Sequence, residues 1–128
     1  MGRIVAQVTV ANTVEPTKHI RFDALVDTGS GLLVLPRAWK ERLEPLPASQ
    51  AVEMETADQR TVTSEVCGPV RIEVEGFRPV FSEVAFLDMQ PTDGEYEPLL
   101  GYIVLEQAGI AVDMLGHRLV KAKHMDLK

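Results

Sequence analysis

A single cysteine, Cys67, in 128 residues rules out a disulfide within the chain. It closes an alternating strand pattern, where a small packed side chain is its plain role, and no histidine lies near it in sequence to make it a nucleophile. The three histidines, His19, His117 and His124, have no metal-ligand spacing among themselves or with Cys67, so no metal and no other cofactor is expected. Positive charge is short as well. Thirteen Lys and Arg stand against 19 Asp and Glu, and the formal net charge of −6 argues against nucleic acid, which requires clustered cations. Lys121, Lys123 and Lys128 read as a solvated tail. No apolar run is long enough for a signal peptide or a membrane span, so a cytoplasmic protein with no membrane partner is expected. Aromatic residues make up only 5% of the chain, which leaves the core to aliphatic packing, and a hydrophobic content of 45% suffices for one domain over residues 1–128.

What the chain does have is alternation. Ile4, Ala6, Val8 and Val10 share one face of a half-buried strand, and Ile20, Phe22, Ala24 and Val26 share one face of the next. Leu32 to Leu35 is continuously apolar, as in a strand buried on both faces. Pro36 to Leu43 reads as a short helix with Trp39 and Leu43 on one side. From Ala51 to Cys67 two strands face each other across Ala57-Asp58-Gln59-Arg60, a long hairpin with a polar tip that projects from the body. Gly68-Pro69 and Gly76 read as turns, Pro79 to Leu87 as a strand and Asp88 to Pro98 as a polar loop. Leu100, Ile103, Val104 and Ala108 have helical spacing, with Gly109 placed as a C-cap, and the chain closes with strands at Ile110–Met114 and Arg118–Ala122. The fold class is mostly β with one or two short helices.

Between the second and third strands sits Asp27-Thr28-Gly29-Ser30. Carboxylates are rarely set among apolar runs without a partner, so Asp27 is a candidate acid or base held on a rigid β scaffold. The alternative is an ordinary turn aspartate that caps its own backbone.

The order of the pieces is more specific than any one of them. An apolar strand enters Asp27-Thr28-Gly29-Ser30, another leaves it, a protruding hairpin follows, and then come Leu99-Leu100-Gly101 and a short helix. This resembles the retropepsin-like aspartic proteases, the single-domain forms related to retroviral proteases, and in particular their bacterial branch, since Gly31 follows the tetrapeptide. The resemblance implies a closed β-barrel of the acid-protease fold, one lobe of a two-lobed enzyme. It implies a catalytic role for Asp27, supported by Thr28, Gly29 and Ser30, with the Ser30 hydroxyl donating to the outer oxygen of Asp27. It places Ala57, Asp58 and Gln59 at a substrate-binding flap tip, and Leu100 and Gly101 beneath the catalytic loop. With one Asp-Thr-Gly per chain, it implies a homodimer whose two Asp27 carboxylates share a proton and activate a water against a peptide or protein substrate. The N-terminal strand near Arg3–Val8 and the C-terminal strand near Arg118–Ala122 would help build that interface. The flap departs from the retroviral pattern, because its tip has no glycine. The competing function is a module of the same fold that captures peptides or dimerises without turnover.

Overall fold

The computed structural model describes residues 3–55 and 58–122. Its strands are β1 (Val5–Asn12), β2 (His19–Val26), β3 (Leu33–Pro36), β4 (Ala48–Glu55), β5 (Thr61–Val74), β6 (Val80–Leu87), β7 (Leu99–Leu100), β8 (Ile110–Asp113) and β9 (Arg118–Lys121). One α-helix, α1 (Tyr102–Ala108), follows β7, and a 3-10 helix spans Arg37–Arg42. The main sheet runs β1-β2-β7-β3-β6-β5-β4, and a further pairing of β1 with β5 closes it into a ring from which β4 hangs as an outer strand. β8 and β9 form a separate two-stranded sheet.

The alternation of the first two strands has the expected consequence. Ala6, Val8, Val10, Ile20, Phe22 and Ala24 are all buried, in an antiparallel pair that puts Val5 opposite Leu25 and Ala11 opposite His19. β3 is buried throughout, and its two faces serve different ends. Leu33 and Leu35 enter the main core, while Val34 belongs to a second apolar cluster with Val66 and Ala85, edged by Leu32, Met54, Leu87 and Leu99. The run between Pro36 and Leu43 forms a 3-10 helix that ends on fully buried Leu43, with Trp39 packed at 5.4 Å from the ring of Phe22 and 5.9 Å from that of Tyr96.

The Gly68-Pro69 pair does not turn the chain. β5 continues through it, and the register against β6 shifts between Cys67 and Val70. Proline has no N–H to give to a ladder, and the strand accommodates it as a bulge. Gly68, at φ +150°, lies so close to β6 that a Cβ would stand 3.1 Å from the Ser82 carbonyl oxygen and from the Glu83 Cα. A dipeptide that reads locally as a turn is thus a bend within one long strand.

Asn12, at the end of β1, is a buried polar side chain that joins the ring of strands to the 3-10 segment. Its Nδ2 donates to the carbonyls of Leu43 at 2.7 Å and Pro45 at 2.6 Å, and its Oδ1 accepts from the amides of Val14 at 2.8 Å and Glu15 at 2.9 Å. Every hydrogen-bonding position of the amide is used, as burial demands. Asn12→Asp removes both donors and sets a carboxylate against two carbonyls. It is expected to lower unfolding stability by about 2–3 kcal/mol in urea titration, and an unchanged midpoint would show that the site is wet and tolerant.

Candidate active site

β2 and β3 are joined by the Asp27 loop yet do not pair with each other. β7 lies between them, parallel to β2 (Leu25 with Leu99, Val26 with Leu100) and antiparallel to β3 (Val34 with Leu99). The loop from Asp27 to Leu32 must therefore cross over the end of β7. At that crossing the Asp27 amide donates to the Leu100 carbonyl at 3.0 Å, and the carbonyls of Ser30 and Gly31 accept from the amides of Tyr102 at 2.9 Å and Ile103 at 3.1 Å.

The first amides of a helix have no partner within it. Here two of them in α1 are satisfied by the loop, and the N-cap, Gly101, offers no side chain for the task. A Cβ on Gly101 would stand 2.5 Å from the carbonyl oxygens of Gly31 and Leu32 and 2.6 Å from that of Ser30. Only glycine lets the two backbones approach so closely. Loop and helix hold each other, with Leu100 and Gly101 in backbone contact with the loop. At its other end α1 stops at Gly109, in the left-handed region at φ 70°, the expected C-cap.

Asp27 is partly buried, and its Oδ1 accepts the Gly29 amide at 3.0 Å. The Ser30 hydroxyl does not donate to Asp27. It donates to the Leu32 carbonyl at 3.0 Å, which corrects the role expected for it. A hydroxyl has one proton to give, and the carbonyl two residues ahead takes it in a local turn. Thr28 is exposed, and its hydroxyl reaches no hydrogen-bond partner among the described residues.

A cleft of about 630 Å³ opens over the loop. Asp27, Gly29, Ser30 and Gly31 form one side, Val34, Leu87 and Leu99 the floor, and Met54, Glu55 and Val62 the wall supplied by the β4–β5 hairpin. The floor is the second face of β3 with its neighbours. Of the expected flap-tip residues, Asp58 and Gln59 lie beyond this lining and are exposed, with Asp58 paired to Arg60 at 3.0 Å and Gln59 at φ 67°; Ala57 lies outside the described residues. Sequence reasoning named the tip and missed Met54, Glu55 and Val62. The register of Met54 opposite Val62 was readable, but which face of the hairpin turns to the loop was not. No cluster that could hold a metal occurs among the described residues.

The hairpin is tied to the body at its root. Lys40 bridges Glu44 at 3.2 Å and Glu65 at 3.1 Å, and the Ser49 hydroxyl also donates to Glu65. The Ser49 hydrogen bond and then Lys40 hold the Glu65 carboxyl below its ordinary range, while Glu65 raises Lys40 against the opposing effect of burial. Nearby, burial pushes the Cys67 thiol up, which fits packing rather than reactivity.

The comparisons with known proteins agree with this geometry. Residues 6–104 match the family model described as aspartyl protease, and the chain belongs to that family. Among solved structures the chain is similar to "EIAV protease complexed with the inhibitor HBY-793", at 20% identity and a TM-score of 0.60, over 88% of this chain and 94% of that one. At that identity the likeness speaks for the fold, a mostly β ring of strands like that of a retroviral protease. No curated protein matches.

Two outcomes follow from the crossing and the root. Gly101→Ala should cost about 2–3 kcal/mol and shift the amide NMR signals of residues 27–32, because backbone oxygens cannot yield as side chains do. Gly31→Ala, whose Cβ would have the Ile103 and Tyr102 side chains as its nearest neighbours at 3.8 Å, should stay near neutral; equal effects would refute the close-approach argument. A carboxyl held low in the fold contributes stability above the ordinary carboxylate range and loses it as pH falls through the folded value. Glu65→Gln should therefore cost about 0.5–1 kcal/mol at pH 7, with the gap from wild type closing in acid, as thermal melts at graded pH will read.

Proposed function

We propose that the chain is an aspartic endopeptidase that acts as a homodimer, with Asp27 of each protomer meeting at a two-fold axis to hydrolyse peptide bonds of a peptide or protein substrate. The observation that carries this reading is a single Asp-Thr-Gly loop, braced from beneath by Gly101 and α1, with its carboxylate at the side of an apolar cleft. Acid–base hydrolysis of an amide by this route needs two carboxyl groups, and one chain brings one such loop.

In the proposed pair, one carboxylate takes a proton from a water between them as that water attacks the carbonyl carbon. The other carboxyl gives its proton to the carbonyl oxygen, and a proton then passes to the leaving nitrogen. Two like charges that close cannot both ionise cheaply, so the resting pair holds one proton. Thr28, exposed beside Asp27 with its hydroxyl unengaged among the described residues, is suited to bond across the axis and fix the two loops. Val5, 54% exposed on β1, and the β8–β9 sheet, with Leu115 97% exposed at its turn, are further candidates for the interface. We place the protein in the bacterial branch on Gly31, and in the cytoplasm as one domain. No described helix is long and apolar enough to cross a membrane.

The decisive variant is Asp27→Asn. It should fold, sediment as a dimer at micromolar concentration, and lose cleavage of a fluorogenic peptide by a factor of about a thousand or more. The wild-type kcat/KM should be bell-shaped with an optimum on the acid side of neutral, its limbs belonging to the pair. A wild-type monomer at every concentration, or cleavage that survives Asp27→Asn, overturns the dyad.

A further inference from the structure

The hairpin that supplies a wall of the cleft ends in the last strand of the sheet. β4 pairs with β5, and its residues are exposed apart from Val52 and Met54. Where the wall stands over Asp27 is therefore decided at the root, where β4 and β5 meet the rest of the chain. On one face of β5 there, Val66 packs with Val34 and Ala85. On the other face stands Glu65, by the alternation of the strand. Its Oε2 accepts the Ser49 hydroxyl from β4 and lies 3.1 Å from Nζ of Lys40 on the 3-10 helix. One carboxylate oxygen thus joins both strands of the hairpin to the body.

The body side of this tie is itself fixed. Leu43, just past the 3-10 helix, is fully buried, and Asn12 on β1 holds the carbonyls of Leu43 and Pro45. Glu44 gives Lys40 a second carboxylate at 3.2 Å. The Lys40 and Glu65 side chains are 22% and 31% exposed, and a partly buried pair is screened less than one on open surface. The Ser49 hydrogen bond and then Lys40 hold the Glu65 carboxyl below its ordinary range, so it stays charged in the mildly acid conditions that suit the proposed dyad.

We propose that Lys40 and Glu65 are positioning residues, whose ion pair sets the place of the hairpin wall over Asp27 and so governs how tightly a peptide substrate is held. The proposal rests on the peptidase reading above. Neither residue is among those that line the cleft, so each acts through β4 and β5. Asp27 is fixed separately, by the hydrogen bonds of its loop to Leu100, Tyr102 and Ile103, so loosening the root weakens binding and leaves the chemical step alone. A hairpin free to take several positions spends less time in the one that meets a peptide, and apparent affinity falls with that fraction.

The test is steady-state cleavage of an uncharged fluorogenic peptide by Glu65→Gln, by Lys40→Glu and by the exchanged pair Lys40→Glu with Glu65→Lys, below the lowest of their melting temperatures. Glu65→Gln should raise KM about three- to fivefold with kcat within about twofold of wild type. Lys40→Glu sets a third carboxylate beside Glu44 and Glu65 and should raise KM further. The exchanged pair should bring KM back toward wild type, whereas two independent structural losses would add. The same peptide, labelled and titrated against Asp27→Asn with and without Glu65→Gln by fluorescence anisotropy, reads affinity without turnover. A KM and an affinity that Glu65→Gln leaves unchanged, a loss confined to kcat, or an exchanged pair no better than its worse member removes this proposal and spares the peptidase reading. Neither cleavage by wild type nor binding to Asp27→Asn removes both.

Discussion

The contact on which the rest depends is the crossing of the Asp27 loop over Gly101. Two strands that follow each other in sequence are separated in the sheet by a third from far along the chain, and the connection must pass over that strand's end. Three carbonyl oxygens come within 2.6 Å of where a Cβ would be, and two of those carbonyls accept the first amides of α1. The loop is therefore neither a free turn nor a helix cap alone. It is a backbone platform fastened from beneath, and Asp27 takes its place from that platform. A carboxylate intended for acid–base chemistry gains from such fixing, because its position is set before a substrate arrives.

The same arrangement explains the cleft. Because β7 divides β2 from β3, one face of β3 is left to look away from the main core, and it gathers Val34, Leu87 and Leu99 into a floor beside Asp27. The hairpin of β4 and β5 covers that floor, with Lys40, Glu65 and Ser49 fixing its root while its outer strand stays largely exposed. A base tied by an ion pair and an arm left exposed would suit an element that covers a substrate, as the proposed function requires. Its tip differs from a glycine-rich one: Asp58 and Arg60 are paired across Gln59, which takes the left-handed conformation without being glycine.

Much of this was legible from the chain because burial leaves a period of two in the strands. That period, with a turn between the strands, is enough for the hairpin of β1 with β2 and for the shared face of Val52, Met54, Val62 and Ser64. The candidate loop was legible because an aspartate between apolar runs is physically costly. Other features depend on partners distant in sequence. Leu32 to Leu35 reads as buried on both sides, but nothing in the run says that one side is core and the other a cleft. Gly68-Pro69 carries the local signature of a turn, and the pressure of β6 makes it a bulge. Asn12 accepts from the amides of the turn that follows it, and its amide also holds two carbonyls more than thirty residues away, which no local pattern announces. Ser30 failed as a partner for Asp27 because its own chain offered a nearer acceptor.

The central claim is that one functional site is made from two copies of this chain. It is tested most directly by active-site titration with a tight-binding peptide analogue that carries a hydroxyl where the attacked carbonyl would be. The account predicts saturation at one inhibitor for every two chains, with no such binding to Asp27→Asn. Saturation at one inhibitor per chain, or undiminished binding after Asp27→Asn, would contradict it.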